Sequence, residues 1–182
     1  LKSIIASSFA LGIAFGGYIP LQSLWLESLG RPFNQIGLTN GIVGLGIIIS
    51  AYFVPRFVKI LGITNMILIG LLLAIISASG FRLTENLYLW LMIKFTKGLG
   101  LGLHWVLSEA WLIKISSPKI RPKAIAVYAV AMSLGFAGGP AIIWIFGHTT
   151  FLPFFCISVV LAITAVPFLF IKKYEPSIML GS

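Results

Sequence analysis

The sequence contains very few acidic residues. Among its 182 residues, 4 are aspartate or glutamate against 13 lysines and arginines, and charged residues make up 9% of the chain. An ordinary soluble domain carries about 25% charged residues. Hydrophobic residues account for 59% of this chain and its mean hydropathy is +1.06. We therefore interpret it as a membrane protein, for which lipid rather than water is the main solvent.

Cysteine and histidine are also scarce, with one Cys and two His in the whole sequence. A single cysteine, Cys156, excludes a disulfide framework, and no cluster of His, Cys and acidic residues has the spacing of a metal site. The sequence shows no nucleophile elbow, no phosphate-binding loop and no pair of acidic residues within one apolar segment. We therefore predict no metal, no cofactor and no enzymatic activity.

Six long apolar segments fill most of the chain, each long enough to cross a hydrocarbon core of roughly 30 Å as a helix. Polar stretches such as "ESLGRPFNQ" and "KISSPKIRPKA" separate them. Because these connections are short, neighbouring helices should be antiparallel, and we predict one all-α membrane domain over residues 1–182. The expected spans are 3–26, 36–58, 64–81, 87–113, 124–147 and 151–171.

The basic residues are distributed unevenly between the two ends of these spans. One side receives only Arg31 and Arg82, while Lys94 and Lys97 lie inside the fourth span. The other side receives the remaining nine, which are Lys2, Arg56, Lys59, Lys114, Lys119, Arg121, Lys123, Lys172 and Lys173. The positive-inside rule makes that side cytoplasmic, with both ends of the chain on it. Topology thus explains the net charge of +9, and we predict no nucleic-acid partner.

Small residues four apart allow two helix backbones to approach closely in lipid. The glycine pairs with this spacing are Gly12 with Gly16, Gly37 with Gly41, Gly98 with Gly102, and Gly135 with Gly139. They fall on spans one, two, four and five. We therefore expect these four spans to form a tightly packed inner set, with spans three and six as peripheral supports.

The fourth span carries a polar face that needs an explanation. On a helix with about 100° per residue, its polar and aromatic members fall within an arc of roughly 140°. They are Lys94, Lys97, His104, Trp105, Ser108 and Glu109. Charges inside a membrane span are costly and normally face a bundle interior or a water-filled cavity, so they indicate a substrate or proton pathway.

Structural roles for the same residues stay open at this point. Lys94 lies near the outer end of the span and can extend to the lipid headgroups. Glu109 lies near the inner end, where Arg56 or Lys123 can pair with it. A single histidine such as His104 is as often just hydrogen-bonded within a core.

Other spans supply polar groups that could face the same space. Tyr18, Gln22 and Trp25 are spaced i, i+4 and i+7 on the first span, and Asn40 and Tyr128 stand on the second and fifth. An aromatic stripe alone more often reflects packing than a ligand cage. Together with the charged fourth span, however, these residues favour a solvated cavity.

Four segments of the sequence resemble one known family. They are "LWLESLGRPFNQIGL", "PRFVKILG", "KFTKGLGLGLHWVLSEAWL" and "RPKAIAVYAVAMSLGFAGGP". These segments are similar to the amino-terminal six-helix half of a major facilitator superfamily transporter, of the bacterial inner-membrane type with Ser-Glu-Ala-Trp at the end of helix four. The resemblance covers nearly the whole chain.

The loop between helices two and three of that family usually carries Gly-x-x-x-Asp-Arg-x-Gly-Arg-Arg. Here Arg56, Lys59 and Gly62 keep its basic character, while the acidic residue is missing and Pro55 precedes the arginine. The resemblance therefore implies a conformational role for these residues, but without a latch that depends on the missing acid.

Two further motifs of the family match in part. In helix four the usual Arg-x-x-Gln-Gly is replaced by Lys94 and Lys97 with Gly98, which keeps positive charge but loses the planar arginine fork. In helix five the usual Gly-x-x-x-Gly-Pro is present as Gly135, Gly139 and Pro140. The resemblance associates this last motif with exchangers of the drug and proton antiporter type.

The function implied by the resemblance is secondary active transport of a small solute by alternating access, coupled to a proton gradient. Its partners would be the bilayer, a solute, and a second six-helix half beyond Ser182 or, as a second choice, another copy of the chain. A non-transporting scaffold or assembly bundle is the alternative function, and no channel filter sequence is present. The substrate stays open, because the cations suit an anionic or polar solute while the aromatics suit an amphipathic one.

Overall fold

The computed structural model describes residues 1–171, and in that part of the chain only helices and short turns occur. Lys172 and Lys173, two of the nine basic residues on the expected cytoplasmic side, lie outside the described residues. The helices are α1 (Lys2–Ser28), α2 (Phe33–Leu61), α3 (Ile63–Gly80), α4 (Leu87–Ile115), α5 (Arg121–Gly138), α6 (Ala141–Phe146) and α7 (Leu152–Ile171).

The helices confirm the all-α fold, and their bounds lie within three residues of the bounds expected for the six apolar segments. The fifth span differs in one respect, because it is interrupted and forms two helices, α5 and α6. The break falls at Gly139 and Pro140, where proline has no N–H to continue the hydrogen-bond ladder. The short α6 therefore continues α5 after a turn.

Within residues 1–171, five helical segments are long and apolar enough to cross a membrane, namely 2–28, 33–61, 63–83, 121–146 and 152–170. The exception is α4, which has 29 residues and is as long as α2. Its lysines, histidine, glutamate and glycines lower its hydropathy. A helix of this kind is stable in a membrane when its neighbours cover its polar groups.

Local sequence explains where the helices begin and end. Before α4, the side chain of Asn86 accepts hydrogen bonds from the backbone N–H groups of Tyr88 and Leu89, which caps the helix. Between α2 and α3 the connection is the single residue Gly62, at φ +78°, a left-handed conformation that favours glycine. These short connections force consecutive helices to be antiparallel.

Two central helices organise the bundle. Helix α1 packs against α5 and α7, while α4 packs against α2 and α3, and α3 also contacts α7. Helices α2 and α5 therefore lie at the two ends of this row, where they bury the smallest share of their surface. The expectation that spans three and six are the peripheral ones is wrong for this bundle.

Glycine explains the closest of these contacts. A Cβ at Gly12 or Gly16 on α1 would overlap the backbone of Met132 or Phe136 on α5, and Gly135 and Gly139 meet α1 in the same way. On α4, a Cβ at Gly98 would overlap the carbonyl oxygen of Val43 on α2. These pairs thus form the seams that the spacing predicts.

The glycine spacing does not predict all of the close helix contacts. Gly37 and Gly41 face open space, although they are four residues apart. By contrast, Gly70 and Gly100 meet backbone to backbone and bring α3 onto α4, and neither belongs to a pair with that spacing. This contact is the physical reason that α3 is packed inside the bundle rather than at its edge.

Candidate functional site

Lys94 lies buried in the bundle rather than at the headgroups. Its ammonium group donates hydrogen bonds to Asn40 Oδ1 at 2.7 Å and to Thr39 Oγ1 at 3.2 Å, both on α2. Asn40 in turn donates from Nδ2 to Ser23 Oγ on α1 at 3.1 Å. A chain of neutral polar groups thus links α4, α2 and α1 around one lysine.

Lys97, one turn further along α4, has a different environment. Its Nζ atom lies 3.1 Å from the centroid of the Tyr18 ring, and only 3% of the residue is exposed. Tyr18 itself donates its hydroxyl proton to the carbonyl oxygen of Ser77 on α3 at 3.2 Å. The ring face is thus the contact that holds the ammonium group.

Lys97 lines a cavity of about 200 Å³ between α1, α2 and α4, which we call the Lys97 cavity. Its lining consists of Phe15, Ile19, Gln22, Asn40, Val43, Gly44, Ile47 and Lys97. Gln22 is 1% exposed and its Nε2 atom has no hydrogen-bond partner among the described residues. Two polar donors therefore border a small space whose remaining walls are mostly apolar.

A second, larger cavity of about 420 Å³ lies between α4 and α5, and we call it the Glu109 cavity. Its lining consists of Trp105, Glu109, Ile125, Tyr128, Ala129, Met132, Ser133 and Phe136. The hydroxyl of Tyr128 is buried and finds no partner in residues 1–171. This cavity therefore combines a carboxylate, a free phenol and two further aromatic rings.

Glu109 is half-buried, and within residues 1–171 it makes no ion pair. In particular it pairs with neither Arg56 nor Lys123, which the sequence offered as structural partners. Its carboxylate thus faces the cavity without a fixed counter-ion from the described chain. A carboxylate in this setting can exchange a proton with water that enters the cavity.

One aromatic pair connects the two linings. The rings of Phe15 and Trp105 meet edge to face with centroids 6.3 Å apart, and Phe15 lines the Lys97 cavity while Trp105 lines the Glu109 cavity. The two cavities therefore lie on either side of this pair, along one face of α4.

His104 points away from both cavities. Its Nε2 atom lies 3.1 Å from Ser7 Oγ on α1, its Nδ1 atom lies 3.4 Å from Ser108 Oγ, and its ring meets Phe168 of α7 edge to face. The residue is fully buried. The geometry thus matches the hydrogen-bonded core histidine that the sequence left open, and it includes Ser108 in the same packing contact.

Trp25 also stands apart from the cavities, at the end of α1. The guanidinium carbon of Arg82 lies 4.1 Å from the centroid of its ring. Nearby, Arg31 stacks over Trp90 at 5.0 Å and donates to the carbonyl oxygen of Glu85 at 2.7 Å. Both arginines at this end of the bundle therefore stack on tryptophan rings of α1 and α4. These contacts join the ends of the helices.

The remaining motif residues have mainly structural positions. Arg56 and Lys59 are exposed near the end of α2, and Gly62 forms the turn that follows. Gly98 belongs to the seam between α4 and α2, and Gly135 and Gly139 belong to the seam between α5 and α1. These residues set helix positions and do not line either cavity.

Some residues of the site were not predicted from the sequence. Thr39, Phe15 and Phe136 all take part, yet each is an ordinary member of an apolar or mixed helix. Thr39 had one available signal, since it adjoins Asn40. The others depend on the contact between helices, which a single sequence does not encode locally.

The fold and the two cavities together define a class of protein. Long apolar helices packed through glycine seams form an integral, multi-pass membrane protein. The charged face of α4 adds two cavities to this bundle, one between α1, α2 and α4 and one between α4 and α5. Such cavities at the depth of the membrane are typical of proteins that bind solutes there.

The chain belongs to the Major Facilitator Superfamily, whose family model matches residues 4–179. It is 25% identical over 150 residues to "Uncharacterized MFS-type transporter YfkF" of Bacillus subtilis, covering 81% of this chain and 38% of that protein. It is 26% identical over 176 residues to "Multidrug resistance protein 2" of the same species, covering 96% of this chain and 44% of that protein.

A further relative is an "Uncharacterized MFS-type transporter" of Yersinia pestis, which is 27% identical over 125 residues, 69% of this chain and 33% of that protein. The chain thus spans less than half the length of these relatives. Membership identifies a membrane protein of a transporter family.

Proposed function

We propose that the protein moves a small solute across the membrane by alternating access, driven by a proton gradient. The observation that carries this proposal is Glu109, a carboxylate without an ion pair in residues 1–171 that lines a cavity of about 420 Å³ between α4 and α5 of a membrane bundle. A titratable group in such a place is costly unless it has a function. A role in transport rather than in catalysis also suits a family of transporters.

We propose Glu109 as the proton-carrying group and Tyr128 as its neighbour across the cavity. The other groups that face this space from α5 are uncharged. Ser133 and Tyr128 can therefore donate hydrogen bonds to the ionised carboxylate without a competing cation. Protonation of Glu109 would remove the charge from the wall and favour closure of the cavity on that side.

Proton coupling can be tested in liposomes that contain a pH-sensitive dye. The protein expressed from the complete native gene is reconstituted into these liposomes. Solutes from a panel are then added to the outer solution, and the pH change inside the liposomes is recorded. Glu109→Gln should abolish the pH change while solute exchange without a gradient continues. Glu27→Gln, at an exposed glutamate near the end of α1, is the matched control and should behave like the wild type.

Two results would count against the proposal. If Glu109→Gln keeps the pH change, the residue is not the proton carrier. If it loses folded protein together with all exchange, Glu109 has a structural role, as in a scaffold bundle.

We further propose that a second six-helix half covers this one. Helices α2 and α5 expose large apolar side chains such as Ile48, Tyr52, Val130 and Leu134, and the relatives are more than twice as long as the matched region. Light scattering of residues 1–182 in detergent, beside uptake by a longer form, tests this. A stable monomer that transports solute unaided would contradict it, and a stable dimer would favour a second copy.

The proposed location is a bacterial inner membrane, with both ends of this segment in the cytoplasm. Nine basic residues fall on one side against two on the other. A cysteine at position 119, as Lys119→Cys in a Cys156→Ala background, should react with an impermeant thiol reagent only from the cytoplasmic side. Reaction in intact cells from outside would reverse the orientation.

A further inference from the structure

Two lysines are buried side by side on α4 without any acidic partner. Lys94 is hydrogen-bonded only to the neutral Thr39 and Asn40, and Lys97 contacts the ring of Tyr18. Neither forms an ion pair within residues 1–171. Burying a cation without a paired anion is costly, so this part of the molecule has a deficit of negative charge.

No carboxylate of the described chain is placed to fill that deficit. Residues 1–171 contain only Glu27, Glu85 and Glu109 as acids. The first two are exposed beyond the ends of the cavity. Glu109 lies twelve residues along α4 from Lys97, about 18 Å at the rise of an α-helix, and lines the other cavity.

The Lys97 cavity has a second unsatisfied donor. Gln22 contributes its Nε2 amide group to the buried lining, where its side chain lies beside Tyr18 and at least one of its two N–H bonds has no partner in the part of the chain that the structure describes. Asn40, by contrast, has both ends of its amide occupied by Lys94 and Ser23. One ammonium group and one amide N–H₂ group are thus both available to an acceptor in the cavity.

The rest of the lining indicates the chemical character of the other part of the bound molecule. Phe15, Ile19, Val43 and Ile47 surround the two donors, and the volume is about 200 Å³. An inorganic ion would leave these apolar walls without contacts. A compact apolar body attached to the anionic group would bury them.

We infer that the Lys97 cavity binds a small organic carboxylate, with Lys97 and Gln22 on its oxygens and its apolar body against Phe15 and Ile47. The inference rests on the proposed transport function and names the solute class. A cationic solute is excluded from this cavity because Lys94 and Lys97 both repel it. A neutral solute would leave the Lys97 ammonium group uncompensated.

A binding experiment separates this inference from transport itself. The protein expressed from the complete native gene is purified in a neutral detergent, and its thermal unfolding is followed with three matched sets of probes. Acetate, butanoate and benzoate are compared with the amide and the amine of the same carbon skeleton, and with sodium chloride at equal concentration. Butanoate or benzoate should raise the unfolding temperature more than its amide, its amine or chloride.

Variants then assign the effect to the cavity. Lys97→Met should weaken carboxylate binding at least about tenfold, and Gln22→Leu about fivefold, as expected for a charge-assisted and a neutral hydrogen bond. Lys114→Met, at an exposed lysine at the end of α4, should leave it unchanged. Both cavity variants are judged by the affinity of the folded fraction, so that a lower yield alone does not count.

Three outcomes overturn the inference. They are amides or amines that stabilise the wild type as well as the acids do, chloride that matches the carboxylates, and carboxylate binding that Lys97→Met leaves intact. The first is also the result expected if a carboxylate from outside the described residues neutralises Lys97. A wild-type protein that binds carboxylates but shows no proton coupling would contradict only the proposed function.

Discussion

The Lys97 cavity and the Glu109 cavity share one helix but have opposite character. The first is small, lies toward the beginning of α4, and is lined by one cation, Lys97, and no acid. The second is about twice as large, lies toward the end of α4, and carries an acid without a cation. Lys97 is almost fully buried against an aromatic ring, whereas Glu109 remains half-exposed.

Under the proposed function, this difference would let one helix serve two tasks. A buried cation between three helices suits recognition of an anion, because little water competes for it. A half-exposed carboxylate in a larger space suits proton exchange, because water can reach it. The Phe15–Trp105 pair lies where the two environments meet.

The largest expected effect comes from disrupting the glycine contact that holds α5 against α1. Gly16→Leu places a side chain on the backbone of Phe136, which lines the Glu109 cavity, and should lower the free energy of unfolding by about 3 kcal/mol or more. Gly37→Leu introduces the same side chain into open space and should change stability by less than about 0.5 kcal/mol. Detergent titrations that unfold both variants measure this. Equal losses would show that the seam is not formed as described.

A smaller effect of opposite sign is expected in the Lys97 cavity. Lys97→Met removes a buried cation that has no paired anion and keeps the length of the side chain, so the ligand-free protein should become more stable by about 1 to 3 kcal/mol. Lys114→Met, at an exposed position, should have no measurable effect. The same detergent titration serves here. Destabilisation by Lys97→Met would mean that its contact with Tyr18 outweighs the burial of its charge.

The smallest effect distinguishes the two buried tyrosines. Tyr18→Phe removes a hydrogen bond to the carbonyl oxygen of Ser77 and should lower stability by about 1 kcal/mol. Tyr128→Phe removes a hydroxyl that has no partner in the described chain, and its stability should change by less than about 0.5 kcal/mol. The second variant should instead alter proton coupling, which the dye-loaded liposomes report. A larger stability loss for Tyr128→Phe would reverse the assignment.

Much of the fold was predictable because apolar length is a local property. The six spans were expected within three residues, and the break in the fifth follows from Gly139 and Pro140. The packing order was not predictable, since Gly70 and Gly100 meet across helices and neither belongs to a pair spaced by four. Spacing along one helix does not show which partner lies opposite.

The candidate site was predicted in the same uneven way. The polar face of α4 was visible from helical periodicity, but the structure divides it into three environments. Lys97 and Glu109 line separate cavities, while His104 packs against Ser7 and Phe168. Trp25 contacts Arg82 and lines neither cavity. Because Arg82 is distant in the sequence, periodicity on α1 cannot reveal this contact.

The central claim is that water reaches the Lys97 cavity from the outer side and the Glu109 cavity from the cytoplasmic side, as the two ends of a proposed solute route along α4. Val43→Cys in the Lys97 cavity and Ala129→Cys in the Glu109 cavity test it most directly, each in a Cys156→Ala background of the complete protein. Ile163→Cys, exposed on α7 outside both linings, is the control and should stay unreactive in lipid. An impermeant thiol reagent should label position 43 only from the outer side and position 129 only from the cytoplasmic side. Labelling of both positions from one side, or of neither, would contradict the account.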